Sequence, residues 1–178
     1  IDEYCRQKRI DWALSLWDLN SLNFATKFEP PFIKIPSAQL TNKKLIKKIA
    51  EMKDYFVIST GMSNWGIIDE AVNILDQKNS RYALLHCNSA YPTPHHELNL
   101  SVIPVMKKRY GCVVGYSGHE YDLEPTVLAV ALGAEIVERH ITLDHNMWGT
   151  DQKASLEVHA MDMLRKRLKN VKIIDGST

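Results

Sequence analysis

Two stretches decide the fold: "GYSGHE" (115–120) and "EIVERHIT" (135–142). Each continues a short apolar run, and each carries a histidine at its end, His119 and His140. The runs they belong to are "CVVGYS" (112–117) and "EIVERH" (135–140), and four similar runs precede them: "WALSLW" (12–17), "FIKI" (32–35), "YFVIST" (55–60) and "YALLHC" (82–87). All are continuous rather than alternating in polarity. That pattern suits strands buried on both faces of a parallel sheet.

Between the runs lie helical patterns. "NKKLIKKIAEMK" (42–53) gathers Leu45, Ile46, Ile49 and Met52 on one face. "SNWGIIDEAVNILDQK" (63–78) opens on Ser63 as the expected cap, and "EPTVLAVALGA" (124–134) has Pro125 in its first turn, where the missing N–H is harmless. Segments 99–110 and 155–170 also read as helices, with Pro104 blurring the start of the first. A strand every ~20–30 residues is the spacing of repeated βα units. No G-x-G-x-x-G or Walker sequence follows any run, which weakens a nucleotide-binding reading.

Polar residues gather at the C-terminal ends of the runs: Ser15 and Asp18; Lys34 and Ser37; Ser59 and Thr60; His86, Asn88 and Ser89; Ser117 and His119; Glu138 and His140. Burying such groups costs free energy unless they are paired or ligated. In a (β/α)8 barrel those ends form the catalytic face. The expected fold is therefore an α/β barrel of the TIM type, incomplete because about six units are counted where eight close the ring. The start at Ile1, without an initiator methionine, and the end at "IIDGST" agree with a partial chain, residues 1–178 being one partial barrel domain.

The bulk composition sets few further bounds. The 178 residues are 45% apolar and 24% charged, with net charge +1, so no global field draws in nucleic acid or a membrane. Lys43, Lys44, Lys47 and Lys48, like Arg165, Lys166 and Arg167, read as solvated helix faces. The three cysteines, Cys5, Cys87 and Cys112, lack metal-type spacing; Cys87 and Cys112 read as buried hydrophobes, which suits a reducing cytoplasm. A thiol nucleophile at Cys87 is disfavoured by its apolar surroundings.

Two imidazoles at neighbouring strand ends suit a divalent metal, with Mn, Fe, Co or Zn all compatible; the blander reading is a pair of hydrogen-bonded core histidines. Ser15, Ser37, Ser59, Ser89 and Ser117 with the ammonium of Lys34 make a plausible anion cradle, although any one serine is an ordinary strand end. His95 and His96 read as surface residues of a Pro-rich loop, and His145 is a weak third ligand candidate. In the loop "HNMWGTDQKASLE" (145–157), Asp151 either hydrogen-bonds a polyol or caps the next helix.

Six ordered blocks, "KIPSAQLTN", "VISTGM", "LLHCNSAYPTP", "VGYSGHE", "VERHITLD" and "GTDQKASLE", resemble the sialic acid (N-acetylneuraminate) synthases. The resemblance implies condensation of phosphoenolpyruvate with N-acetylmannosamine, its 6-phosphate or a related hexose, giving a nine-carbon 2-keto acid and phosphate. It implies Mn2+ or Mg2+ on His119 and His140. It implies phosphoenolpyruvate on Lys34, Ser37, Ser59, Ser89 and Ser117, with Ser15 assisting. Tyr91 and Asp151 would touch the sugar, and Glu138 would orient a ligand or relay a proton. Gln39 stands where many members carry an acid, and an amide is no general base. The family's first two strands and its small C-terminal antifreeze-like domain fall outside the chain, so the chain alone is expected to be inactive and the parent a homodimer. Two other readings stay open. One is a different metal-dependent aldolase-type barrel, in its sharpest form with Lys34 as a Schiff base. The other is a non-catalytic barrel binding a sugar or a partner.

Overall fold

A computed structural model describes residues 1–25, 27–52 and 55–176. The helix expected over 42–53 therefore ends on a residue, Lys53, outside the described set, as do the last two residues of "IIDGST". The chain divides into two compact units, Ile1–Ala83 and Leu84–Thr178.

In the first unit, α1 (Asp2–Lys8) leads to β1 (Leu14–Ser15), α2 (Leu19–Ala25), β2 (Ile33–Ile35), α3 (Lys43–Ala50), β3 (Tyr55–Ser59) and α4 (Trp65–Asp76). β1 pairs with β2 and β2 with β3, both in parallel, with Lys34 opposite Ser15 on one side and Val57 on the other. Ile33, Ile35, Phe56 and Ile58 are buried, as the continuous apolar runs require, and Leu45, Ile46 and Ile49 of α3 pack into the same core. The four lysines of α3 are exposed, as expected. Only Leu14–Ser15 of the run 12–17 is paired.

The cap of α4 is Asn64, not Ser63. The Asn64 Oδ1 accepts from the Ile67 N–H at 3.0 Å, whereas the Ser63 hydroxyl donates to the Gly61 carbonyl. Both residue types cap well, and the side chain that reaches the open N–H groups decides the register. Asn42 caps α3 in the same way, accepting from the Leu45 N–H at 3.1 Å.

β4 (Arg81–Cys87) carries the chain over the boundary. The second unit continues with α5 (Val102–Tyr110), β5 (Val113–Gly118), α6 (Glu124–Ala131), β6 (Val137–Arg139), β7 (Ile141–Thr142), β8 (Leu156–Glu157) and α7 (Val158–Asp175). β5 and β6 run in parallel, with Ser117 opposite Glu138 and Gly118 opposite Arg139. Pro104 and Pro125 both lie in the first turns of their helices, where no intrahelical donor is lost. A small parallel pair, β7 with β8, was not expected, and it delays α7 to Val158 where the sequence pattern starts a helix at 155. Cys87 is buried as expected, but Cys112 is only partly so.

Gly115 of β5 is a packing requirement. A Cβ there would lie 2.5 Å from the Ile136 carbonyl oxygen and 2.6 Å from Leu85 Cδ2. The carbonyl belongs to backbone and cannot rotate away. Gly115→Ala is expected to destabilise by about 3 kcal/mol, the upper part of the overpacking range. Thermal unfolding should shift down by roughly 10 °C for a chain of this size.

Candidate functional site

Within the first unit, β2 and β3 place Lys34 and Ser59 side by side. Lys34 is 7% exposed, and its Nζ donates to Ser59 Oγ at 2.8 Å. One strand end further out, the Ser37 hydroxyl accepts from the Gly61 N–H at 3.0 Å, and Thr60 is buried beside them. The sequence-predicted cradle is thus assembled in part: a buried ammonium, hydroxyls and a backbone N–H at the ends of adjacent parallel strands. Ser15 is exposed. Gln39 is half-buried, and its Oε1 accepts from Asn42 Nδ2 at 2.9 Å. Its amide therefore steadies the α3 cap.

In the second unit, β5 and β6 bring the two histidines together, with ring centroids 5.2 Å apart and planes inclined at 65°. His119 Nδ1 lies 2.6 Å from the Asn88 carbonyl oxygen, and Nε2 lies 2.9 Å from the Tyr91 hydroxyl. A carbonyl only accepts, so Nδ1 carries the proton, and in the neutral ring Nε2 accepts from the Tyr91 O–H. Burial holds the His119 pKa below the usual imidazole value, which keeps that neutral form. Burial likewise pushes the Tyr91 phenol up to about 12, with smaller contributions from Cys87, Asp151 and Glu138, so it stays a donor at working pH.

His140 is half-buried. Its Nδ1 sits 3.7 Å from Asp151 Oδ2, and Tyr91 packs edge-on against its ring at 5.5 Å. Asp151 makes no side-chain cap to the following turn, so the capping reading of this residue fails. Ser117, 2% exposed, donates to Glu138 Oε1 at 2.7 Å. That bond joins β5 to β6 across the ladder. Ser89 is half-buried at the end of β4.

His145 is turned elsewhere: its Nδ1 contacts the Gln152 carbonyl at 2.9 Å and its ring stacks on Tyr121. Among the described residues no three His, Cys, Asp or Glu side chains form a cluster able to hold a metal ion. His119 and His140 remain a two-imidazole donor set. The fit to a divalent ion is favourable on one observation: the Asn88 carbonyl fixes the tautomer of His119 and leaves the Nε2 lone pair as the ligating position. His95 and His96 lie exposed in a short turn, as expected, with His95 paired to Asp122 at 2.8 Å.

The sequence reading missed Glu120 and Arg139. Their side chains are 0% and 1% exposed and meet at 2.8 Å. Tyr116 and Thr126 also donate to the Glu120 carboxylate, at 2.8 and 2.7 Å. The signal was available, because strand residues alternate faces and both flank a histidine.

The NeuB family model matches residues 1–178. This chain is a member of the NeuB family. The NeuB chain is 40% identical over 171 residues to N,N'-diacetyllegionaminic acid synthase of Campylobacter jejuni, covering 94% of the chain and 51% of that protein. It is 38% identical to N-acetylneuraminate-9-phosphate synthase of Drosophila melanogaster, covering 97% of the chain and 47% of that protein. It thus spans about half the length of these curated relatives. A crystal structure of the N-acetylneuraminic acid synthetase of Leptospira borgpetersenii, in complex with citrate, superposes with a TM-score of 0.95 at 32% identity, covering 99% of the chain and 62% of that structure. A DAHP synthase of Thermotoga maritima superposes with a TM-score of 0.80 at 13% identity, which shows the shared fold alone. The incomplete α/β barrel of TIM type expected from the sequence agrees with these superpositions. Among the described residues no helix is long and apolar enough to cross a membrane.

One pH dependence follows for the NeuB chain. His86 is largely buried, its Nε2 2.7 Å from the Leu98 carbonyl, and burial lowers its pKa despite that bond. The unfolded chain takes up a proton near the ordinary imidazole value of ~6.5, and the folded chain resists it. Stability is therefore full above ~6.5 and is lost as pH falls toward the lower folded pKa. Melting temperature should fall steadily between about pH 7 and 5. His86→Gln, which keeps a donor for Leu98, should flatten that slope in part.

Proposed function

We propose that the protein carrying this chain condenses phosphoenolpyruvate with N-acetylmannosamine, its 6-phosphate or a related hexose. The products are a nine-carbon 2-keto acid of the sialic acid type and inorganic phosphate. The observation that carries the reading is the His119–His140 pair, with the Asn88 carbonyl holding the Nδ1 proton of His119 so that the lone pair sits on Nε2, where the Tyr91 hydroxyl donates to it. The names of the relatives support the substrate class.

In this reading His119 and His140 hold a divalent cation, Mn2+ or Mg2+, and contribute neutral imidazoles. The chemistry such a cation supplies when bound is polarisation of the open-chain sugar aldehyde. Carbon 3 of phosphoenolpyruvate attacks that carbonyl carbon, forming the new C–C bond. Water adds at carbon 2, and phosphate leaves with the bridging oxygen by C–O cleavage. Lys34 places its ammonium against the phosphoenolpyruvate anion, with Ser59 and Ser37 donating around it and Ser15 at the rim, and Ser89 is assigned to the same ligand. Ser117 and Glu138 act as a hydrogen-bonded unit, Glu138 accepting the Ser117 proton and so fixing the hydroxyl. Tyr91 and Asp151 lie beside the histidines as sugar contacts. Gln39 keeps a binding role and takes no proton. A cytoplasmic location and a homodimeric parent complete the proposal.

Tyr91 gives a specific test of the ligand assignment. Its hydroxyl occupies the Nε2 lone pair that a metal needs, and this bond must break on loading. Tyr91→Phe is expected to tighten Co2+ binding by about 5-fold, the worth of one ordinary hydrogen bond, while raising the KM for sugar. The function itself is checked by incubating the full-length gene product with phosphoenolpyruvate, Mn2+ and a panel of N-acetylmannosamine-type acceptors. Mass spectrometry should find a nine-carbon 2-keto acid with at least one acceptor. A folded, metal-loaded protein yielding none would move the reading to the non-catalytic barrel.

A further inference from the structure

Along β5 and β6 the side chains alternate between two faces. One face carries Ser117 of β5 and His119 just past its end, with Glu138 of β6 and His140 just past its end. The other carries Tyr116, Gly118 and Glu120, opposed by Arg139. On this second face a buried charged network has formed. Arg139 Nη1 donates to Glu120 Oε1 at 2.8 Å, to Thr126 Oγ1 at 2.8 Å and to the Asp122 carbonyl at 3.2 Å. Arg139 Nη2 donates to the Glu120 backbone carbonyl. Tyr116 and Thr126 close the shell around the Glu120 carboxylate. Thr126 belongs to α6, so the network ties both strand ends to the helix between them.

Glu120 directly follows His119, and Arg139 directly precedes His140. A link between Glu120 and Arg139, from side chain to side chain and from guanidinium to backbone, therefore fixes the two peptide units that bear the histidines. Gly118 is part of the device: a Cβ there would lie 2.6 Å from Glu120 Oε2 and 2.7 Å from Tyr116 Cε1. A wholly buried ion pair adds little to stability compared with apolar side chains of the same volume, and one Arg139 donor, Nε, is left buried without a partner.

We infer that the Glu120–Arg139 pair is the positioning element of the histidine pair, setting the approach of His119 to His140 from the face opposite the site. The inference rests on the reading of His119 and His140 as the working pair. Both side chains are buried against each other on the face away from the histidines, so their proposed role is positioning.

The test reads the histidines directly and without metal. Long-range 1H–15N spectra of the imidazoles are recorded for the wild-type chain, for Arg139→Lys, and for the double variant Glu120→Gln/Arg139→Met. The double variant removes both charges together; the Gln oxygen keeps an acceptor for one of the Tyr116 and Thr126 hydroxyls, and its NH2 group can donate to the other. In the wild type, His119 should show a single Nδ1–H tautomer. In the double variant, checked as folded by near-UV circular dichroism, the His119 and His140 signals should move toward tautomer-averaged positions. Arg139→Lys keeps the charge and loses the fork, and should lie between the two. Wild-type-like signals for both histidines in the folded double variant would overturn the inference. Should the double variant fail to fold, unchanged signals in Arg139→Lys would overturn it equally. A Co2+ titration of the same proteins separates this claim from the functional one. Affinity should fall by about 10–100-fold in the variants, the usual cost of disturbing groups behind a ligand. A wild type with the ordered His119 tautomer and no Co2+ binding would sink the metal assignment and leave the positioning role supported.

Discussion

His119→Ala and His140→Ala should each lower acceptor-dependent turnover of the full-length gene product by about 1,000-fold or more, since Lewis-acid stabilisation is worth several kcal/mol and each 1.4 kcal/mol is a factor of ten. Steady-state phosphate release under saturating Mn2+ measures the loss. The fold gives reason to expect folded variants. His140 is half-buried, and His119, though buried, lies at a strand end with its ring against Tyr91 and His140 rather than in the apolar core. The fall should appear in kcat/KM for both substrates together, because the loss is made in the shared transition state. It should be matched by loss of Co2+ binding. Co2+ binding retained in both variants, with turnover gone, would remove the histidines from the metal and leave them as hydrogen-bonding groups.

The second large effect is expected at Lys34. Its ammonium is buried against Ser59, and removing the charge leaves phosphoenolpyruvate without its cationic partner. Lys34→Met should raise the KM for phosphoenolpyruvate by about 100-fold, the upper range for a hydrogen bond between charged groups. Metal affinity should not move, because the histidine pair is formed within the second unit alone. The apolar replacement matches the stem of the lysine, so stability should change little. This variant also separates the synthase from the Schiff-base aldolase. On the synthase reading, borohydride with pyruvate labels no lysine in the wild type. A trapped adduct on Lys34, with kcat abolished and KM unchanged in Lys34→Met, would favour the aldolase.

Much of this was legible in the residues. The continuous apolar runs marked the strands, because a strand covered on both faces has no polar alternation to show. The histidine pair followed from two such runs ending alike. Local detail was less legible where two residues compete for one task, as Ser63 and Asn64 do for the cap of α4. The β7–β8 pair is two residues long on each side, too short for any period to register. Glu120 and Arg139 each flank a histidine, and strand alternation puts them on the opposite face, but alternation alone does not say what lies there. Only the paired strands reveal that each charge has the other to neutralise it in the interior. Ser117 shows the reverse: its position at a strand end was read correctly, while its commitment to Glu138 required the ladder register.

The central claim is a condensation in which phosphate departs with the bridging oxygen of phosphoenolpyruvate. The most direct measurement uses phosphoenolpyruvate labelled with 18O at that oxygen, incubated with the full-length gene product and Mn2+, with and without an N-acetylmannosamine-type acceptor. Labelled phosphate is expected only when both metal and acceptor are present. Phosphate released without acceptor, or released unlabelled through P–O cleavage, would contradict it.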